Sequence, residues 1–286
     1  MIILQPTQIA KIENLIKEHS GIVLERVTSR NISSKIVEHM KQLGLFRFDD
    51  YMQILNSGGD EKPSLADLIS ELTISESSFF RNSGQFEYIY YKFLPELFAK
   101  KGNRHHIRIW SAGCAKGEEA YSLAMVARKF QMDHPGCEFQ IFAGDINNKN
   151  LQLAREATYG ERAFRNRIER FESLFDLKIG ARDKSGNIRL DNEIKKLVSF
   201  RPLNLKKLQG LKCLAGSDII FCRNVLIYFE EEFRRSLVKE FARLLTPGGL
   251  LCLGESECLP KDINSFELIN HKNSYCYQKP TGKNMA

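Results

Sequence analysis

Apolar and polar positions along the C-terminal two-thirds of the chain follow a repeated strand–helix pattern. Alternation at every second residue predicts half-buried strands, and a continuous apolar run such as Ile219–Cys222 predicts a fully buried one. Helices are predicted from Glu118 and near Asn147, so the pattern indicates a doubly wound α/β sheet. In chain order, the predicted strands contain Ile107 and Ile109, Phe139–Asp145, Leu197–Asn204, Ile219–Cys222 and the apolar run after Pro247.

The N-terminal quarter of the chain shows only helical spacing. Apolar residues such as Ile12 and Ile16 recur on one helix face, and Gly21 follows the predicted helix end. A second amphipathic helix comes next. The sequence therefore predicts a small helical domain over residues 1–73, followed by an α/β domain over residues 74–286.

Two further segments predict antiparallel strands. Residues 158–196 form an insertion that is far longer than the 2–6 residues of an ordinary connection. Within it, Phe175–Ile179 and Ile188–Leu190 alternate with period two, which predicts a small antiparallel β subdomain. The chain closes with a predicted hairpin at the sheet edge, formed by Phe266–Asn270 and Ser274–Gln278.

Gly113 and Gly117 lie in the turn between the first strand and the helix that begins at Glu118. Glycines at such a turn let the backbone approach a ligand, and the amides of the first helical turn face that ligand. A tight strand–helix turn also needs glycine for steric reasons alone. The turn is thus compatible both with a nucleotide-type cofactor site and with a purely structural role.

Polar residues also stand at the ends of two other predicted strands. Asp145 ends the second strand, where a carboxylate can accept hydrogen bonds from both ribose hydroxyls, or else cap the helix Asn147–Ala157. It lies farther beyond Gly113 than the roughly 20 residues of a dinucleotide fingerprint, which argues against a nicotinamide cofactor. Arg223 and Asn224 follow the buried fourth strand. The carboxyl ends of parallel strands meet at one edge of a sheet, so Asp145 is expected to lie beside the glycine turn. For Asp145, ribose binding is therefore favoured over helix capping.

Composition and charge narrow the class of protein. The 286 residues carry a formal net charge of +7, which predicts an acidic partner or a solvated basic surface. No segment approaches the ~18 apolar residues of a membrane span. The seven cysteines form no Cys-x-x-Cys pair, as expected of a reduced cytoplasmic protein, and the six histidines lack metal-ligand spacing. Without a dense basic run or several tryptophans, we expect no nucleic acid, no membrane insertion and no metal.

Four motifs of the chain resemble the CheR-type chemotaxis receptor methyltransferases, and the resemblance extends over nearly the whole chain. It implies a class I S-adenosyl-L-methionine-dependent fold that methylates glutamate side chains of chemoreceptors and releases S-adenosyl-L-homocysteine. The implied partner is the acidic, helical cytoplasmic domain of a chemoreceptor, and the implied enzyme is a cytoplasmic monomer. The motifs are Leu72–Asn82, Ser111–Ser122, Ala143–Ile146 and Phe221–Phe229.

The resemblance also implies roles for single residues. Arg81 and Tyr228 match family residues beside the reactive methyl group, and Arg223 is a third candidate catalytic residue. Glu119 would meet the methionyl ammonium group and Asn204 the adenine edge. The implied cofactor-binding residues are Ser75, Ser77, Arg81, Gly113, Glu119, Asp145, Asn204, Leu205, Arg223 and Asn224.

The chain departs from the family pattern at several positions of this site. Ser75 and Ser77 stand where the family commonly has Asn and Thr, and Lys116 and Ala120 replace a usual Thr and Pro. A serine hydroxyl preserves some hydrogen bonds but reaches less far than an Asn side chain. We therefore expect an atypical affinity for the cofactor.

A basic helix in the predicted N-terminal domain has two interpretations. In the family the corresponding helix faces the receptor, but here it carries fewer arginines than usual. It is either a receptor contact or a solvated surface. The basic residues that surround it are Arg26, Arg30, Lys35 and Lys41.

Methyl transfer to a glutamate side chain requires few catalytic groups. A glutamate side chain has a pKa of about 4.3 and is already ionised at neutral pH, so methyl transfer to it needs no general base. An arginine can orient the carboxylate through two parallel hydrogen bonds. Two alternatives stay open: a catalytically weak S-adenosylmethionine-binding regulator, which would lack Arg81 or Tyr228, and a nucleic-acid methyltransferase, whose Asn/Asp-Pro-Pro-aromatic segment this chain lacks.

Overall fold

The computed structural model describes residues 2–26, 32–57, 63–73, 77–101, 105–165 and 177–282. Its strands are β1 (His105–Ala112), β2 (Cys137–Asp145), β3 (Thr158–Tyr159), β4 (Gly180–Arg182), β5 (Ile188–Leu190), β6 (Val198–Pro202), β7 (Ser217–Cys222), β8 (Leu245–Leu253), β9 (Glu267–His271) and β10 (Ser274–Gln278). Its α-helices are α1 (Pro6–Ser20), α2 (Ile32–Gln42), α3 (Phe48–Asn56), α4 (Pro63–Leu72), α5 (Ser83–Tyr88), α6 (Leu94–Lys101), α7 (Glu118–Asp133), α8 (Asn148–Glu156), α9 (Asn192–Lys195) and α10 (Glu231–Leu244).

Seven strands form the central sheet in the order β6-β2-β1-β7-β8-β10-β9. The first five in this order are parallel, and β10 and β9 add the predicted antiparallel hairpin at the edge. The predicted doubly wound α/β fold is confirmed. The strand order reverses between β1 and β7, which is where such sheets bind ligands. The third predicted strand ends at Pro202 rather than Asn204, because Asn204 already caps the next turn through the amide of Lys206.

Alternating side chains of the sheet enter two hydrophobic clusters. Ile109, Ile141 and Phe221 belong to the cluster on one face, together with apolar residues of α7 and of the small sheet β3-β5-β4. Trp110 and Ile220 belong to the cluster on the other face, together with α10 and the N-terminal helices. Because successive side chains of a strand point to opposite faces, strands such as β1 and β7 contribute apolar side chains to the clusters on both faces of the sheet.

The N-terminal helices pack directly on the sheet. Ile12 and Ile16 of α1 are fully buried in the same cluster as Trp110. Gly21 ends α1 with a φ of 77°, and a Cβ atom there would lie 2.7 Å from the ring of Phe233. A glycine is therefore required both by the left-handed turn and by the close approach of α10.

The predicted antiparallel insertion is present as the three-stranded sheet β3-β5-β4. The position of its first long strand was predicted wrongly: Phe175 lies outside the described residues, and the strand that pairs with β5 begins at Gly180. Ile179 lies just before that strand, and its side chain is buried in the core. A Cβ atom at Gly180 would lie 2.2 Å from the carbonyl oxygen of Arg189, so the close strand pairing requires this glycine.

Candidate active site

A cleft of about 340 Å³ opens at the carboxyl ends of the parallel strands, beside the end of α1. Parallel strands bring their ends together there, so residues far apart in sequence share one wall. Ser75 lies outside the described residues. Every other predicted site residue lines this cleft, namely Ser77, Arg81, Gly113, Glu119, Asp145, Asn204, Leu205, Arg223, Asn224 and Tyr228.

The cleft floor comprises the turn Gly113–Glu119 and Asp145. Gly113 and Gly117 have φ values of 78° and 92°, and a Cβ atom at Gly113 would lie 2.5 Å from the side chain of Val225. The amide of Gly113 donates to the carbonyl oxygen of Gly144 at 2.8 Å, which ties the turn to β2. Sterics alone thus account for these glycines, and their contact with a cofactor stays a prediction.

Asp145 joins the two strand ends of the floor. Its Oδ2 accepts from the amide of Ala115 and its Oδ1 from the amide of Asn147, both at 2.8 Å. The alternative that Asp145 caps α8 is wrong, since the side chain of Asn147 is the N-cap and accepts from the amide of Asn150. Burial raises the pKa of the Asp145 carboxyl, and the hydrogen bonds from backbone amides oppose that rise.

A buried ion pair lies at the inner end of the cleft. The guanidinium of Arg223 is 2% exposed, and its Nη1 lies 3.5 Å from Oε2 of Glu119. Ser111 donates to the other carboxylate oxygen of Glu119 at 2.7 Å. Burial raises the pKa of Glu119, while Arg223 lowers it. Arg223 also donates to the carbonyl oxygen of Arg81 at 2.6 Å, so its contacts hold other site residues in place.

Residues 77–82 and 223–229 form another wall of the cleft, which we call the acceptor wall because Arg81 and Tyr228 are predicted to contact the methyl acceptor. Phe80 and Asn82, on either side of Arg81, have φ values of 49° and 58°, which are uncommon for residues other than glycine. The amide of Phe80 donates to Oγ of Ser122 at 2.9 Å. This contact and the bond from Arg223 to the Arg81 carbonyl hold the segment in place, so that Phe80 and Asn82 keep left-handed conformations that local sequence would not favour.

The segment that follows α1 holds the other part of the acceptor wall. The amide of Val23 donates to the carbonyl oxygen of Tyr228 at 2.9 Å, and Ile22 forms a β-bridge with Phe229. Sequence reasoning missed Ser20 and Ile22, which also line the cleft. No local motif marks them, because the packing of α1 against the sheet is what brings them to the site.

Comparison with known proteins gives the family. Residues 75–275 match the family model described as CheR methyltransferase, SAM binding domain. The chain belongs to the CheR methyltransferase family. It is 31% identical to a probable chemotaxis protein methyltransferase of Rhizobium etli, over 85% of this chain and 89% of that protein. It is 32% identical both to chemotaxis protein methyltransferase 1 of Vibrio cholerae, over 89% and 90%, and to the Escherichia coli protein, over 86% and 82%.

S-adenosylmethionine is the cofactor of this family, and the cleft fits it. Asp145 and Glu119 are two carboxylates whose pKa values are raised by burial at the cleft floor. A ligand with hydroxyl groups and an ammonium group would replace the solvation that they lose. Ile146, Leu203 and Val225 give the cleft apolar walls suited to an adenine ring.

Asn204 is already engaged by the protein. Its Nδ2 donates to the carbonyl oxygen of His19 at 2.8 Å, and its Oδ1 accepts from the amide of Lys206 at 3.0 Å. Lys206 Nζ also donates to the carbonyl oxygen of Glu18 at 2.6 Å. These bonds attach the end of α1 to the cleft. They use one of the two N–H donors and one of the two acceptor lone pairs of the Asn204 amide, so the predicted contact with adenine is compatible with them.

In the described part of the chain, no helix is long and apolar enough to cross a membrane. Within the same residues, no group of three or more His, Cys, Asp or Glu could hold a metal ion. All seven cysteines have free thiols.

Proposed function

We propose that this CheR-family methyltransferase methylates glutamate side chains of chemoreceptors to give glutamate methyl esters. The observation that carries the proposal is that Arg81 and Tyr228 line the same cleft as Asp145 and Glu119. The residues proposed to orient the acceptor thus lie beside those proposed to bind the cofactor. The relatives named as chemotaxis protein methyltransferases support a role in chemotaxis.

S-adenosylmethionine supplies an electrophilic methyl group on a sulfonium centre. The chain's residues need only desolvate and orient a carboxylate that is already ionised. Arg81 would orient that carboxylate through paired hydrogen bonds, and the Tyr228 hydroxyl would fix its approach. Arg223 would act indirectly by positioning other residues, because its guanidinium bonds the Arg81 carbonyl and the Glu119 carboxylate.

The same cleft suggests how the cofactor is held. Asp145 would accept from the ribose hydroxyls and Glu119 would meet the methionyl ammonium group. Gly113 would contact the cofactor through its backbone, and Asn224 would contact it through its side chain. The remaining proposed contacts are those of Ser75, Ser77, Arg81, Asn204, Leu205 and Arg223.

The proposed partner is the acidic cytoplasmic domain of a chemoreceptor. The net charge of +7 suits such a partner. Arg30 lies outside the described residues, and Lys35 donates to the carbonyl oxygen of Glu71 at 2.6 Å. Lys41, at the end of α2, is exposed, and we propose it as a receptor contact.

Radiolabelled methyl transfer to purified cytoplasmic receptor fragments tests the proposal. We expect label that alkali releases as methanol, because a carboxyl ester is base-labile. Receptor fragments whose candidate glutamates are changed to alanine should stay unlabelled. Cofactor binding without transfer would indicate the regulator alternative, and label found in nucleic acid would indicate the other class of methyltransferase.

A further inference from the structure

Glu257 is a carboxylate outside the cleft that contacts the back of the acceptor wall. It follows β8 and is half-buried. Its Oε2 accepts from the amide of Asn224 at 2.7 Å and from the amide of Gly254 at 2.8 Å. Its Oε1 accepts from the amide of Ile227 at 3.2 Å. One side chain thus fixes three backbone amides, two of which belong to the acceptor wall.

These bonds act where the wall is conformationally unusual. Asn224 has a φ of 57°, a left-handed conformation that is uncommon outside glycine. Ile227 directly precedes Tyr228, whose carbonyl is bound from the opposite side by the amide of Val23. Glu257 therefore anchors both ends of the turn that presents Asn224 and Tyr228 to the cleft.

Gly254 makes room for this carboxylate. A Cβ atom at Gly254 would lie 2.8 Å from Oε2 of Glu257 and 2.8 Å from Nδ2 of Asn224. No positive φ accompanies this crowding, so the need for glycine is one of space alone. An alanine at this position would displace either the carboxylate or Asn224.

We propose that Glu257 is a positioning residue for methyl transfer, which acts by holding Asn224 and Tyr228 in place. The proposal rests on the roles proposed above for those two residues. A charged acceptor suits the task, because a carboxylate bound by several amides forms strong, directional hydrogen bonds. A small misplacement of an orienting group can cost about 100-fold in rate, so this support should matter to turnover.

The chain offers a matched control for Glu257. Glu255 lies two residues earlier on the same loop and is exposed. Glu255→Gln removes the same charge from the same loop but leaves the three amide contacts intact. Any difference between Glu255→Gln and Glu257→Gln therefore reports the contacts and not the net charge.

Turnover per cofactor-binding site is the first measurement. Calorimetry with S-adenosylhomocysteine counts the competent sites, and kcat for receptor methylation is divided by that number. We expect Glu257→Gln to lower this kcat by about 10- to 100-fold, with a smaller change in cofactor affinity. Glu255→Gln should match the wild type. Equal kcat values per site for the two variants would overturn the proposal.

Amide hydrogen exchange is a readout independent of activity. In Glu257→Gln the amides of Asn224, Ile227 and Gly254 should exchange at least about tenfold faster, because their acceptor is weakened. Gly254→Ala should reproduce both the faster exchange and the loss of turnover if the carboxylate is displaced. Unchanged exchange at these amides in both variants would contradict the proposal.

A double-mutant cycle tests whether Glu257 works through Tyr228. In a Tyr228→Phe background the hydroxyl to be positioned is absent, so Glu257→Gln should cost less than it does alone. If the fold-loss in kcat of the double variant equals the product of the two single losses, the residues act independently and the proposal is contradicted. If the wild type methylates no receptor carboxyl, the proposed function fails, whereas the exchange results still show whether Glu257 holds the amides of Asn224, Ile227 and Gly254 in place.

Discussion

The cleft floor is built from consecutive strand–helix units, whereas the acceptor wall draws on distant parts of the chain. In the floor, Gly113 binds Gly144 and Asp145 binds Ala115, so the contacts join the ends of two adjacent strands. In the wall, residues 77–82 and 223–229 receive contacts from helix α7, the segment after α1 and the loop after β8.

The two regions also place unusual backbone conformations on different residues. Glycines take most of the positive φ values of the floor, at little steric cost. In the wall, Phe80, Asn82 and Asn224 adopt positive φ without that freedom. Such conformations persist only where surrounding contacts over-determine them. We therefore expect changes in the floor to act mainly on cofactor affinity, and changes at Arg81 and Tyr228, the proposed acceptor-orienting residues of the wall, to act mainly on turnover.

The largest effect is expected in the floor, from Asp145→Ala. Losing charge-assisted hydrogen bonds to two ribose hydroxyls should cost about 3 kcal/mol or more, which is at least about 100-fold in cofactor affinity. Calorimetry with S-adenosylmethionine measures it. Asp183→Ala is the matched control, because Asp183 also accepts from two backbone amides but lies in the exposed hairpin of the small sheet. Near-native affinity of Asp145→Ala would remove this residue from the site.

The wall should respond in the opposite way. Arg81→Ala and Tyr228→Phe should each lower kcat by about 10- to 100-fold and change cofactor affinity much less, since their contacts are proposed to orient the acceptor. Steady-state kinetics with receptor fragments, combined with calorimetry, separates the two quantities. Arg155→Ala is a suitable control, because Arg155 is exposed and bonds only a β6 carbonyl in the described structure. A large loss of cofactor binding with normal kcat would place these residues with the floor.

A smaller effect is expected from Lys41, an exposed basic residue of α2 that lies outside both regions. Charges on a protein surface are screened beyond roughly 8–10 Å at physiological ionic strength, so added salt should raise the KM for receptor a few-fold. Cofactor affinity should change little. Lys41→Glu should reproduce the high-salt KM in dilute buffer, whereas Lys239→Glu on α10 should not. A wild-type KM for Lys41→Glu at low salt would show that this helix surface is only solvated.

The smallest effect is expected on the stability of the folded protein, from a change at Glu118, where the floor meets the wall. Glu118 is buried at the start of α7 and bonds Ser77, and burial raises the pKa of its carboxyl. The folded state then binds a proton more readily than the unfolded state. The ionised group thus lowers stability as the pH rises above its unfolded value of about 4.5 towards neutrality.

Glu118→Gln should therefore raise the melting temperature of the cofactor-free protein by about 2 °C at pH 7.5 and leave it unchanged near pH 4. Scanning calorimetry across this range measures the difference. Glu156→Gln, on the exposed end of α8, controls for the removal of one charge. A shift of equal size at both pH values would show that hydrogen bonding and not ionisation is responsible.

Much of the fold followed from local patterns. Alternation and apolar runs located the strands of the central sheet, and helical spacing with Gly21 located α1. The small sheet was predicted, but its first strand was misplaced. Alternation between Phe175 and Ile179 could not reveal that Ile179 is buried in the core and that Gly180 permits the close strand pairing.

The sequence by itself determined the residues of the cleft floor, because strand ends, glycines and a terminal carboxylate are local signals that parallel strands bring together. The motifs also marked Arg81 and Tyr228. Only the tertiary structure decided how these two are held, through Arg223, Val23 and Glu257. Such support is invisible in sequence, since a hydrogen bond to a backbone amide or carbonyl constrains the position of its partner but not the partner's side chain.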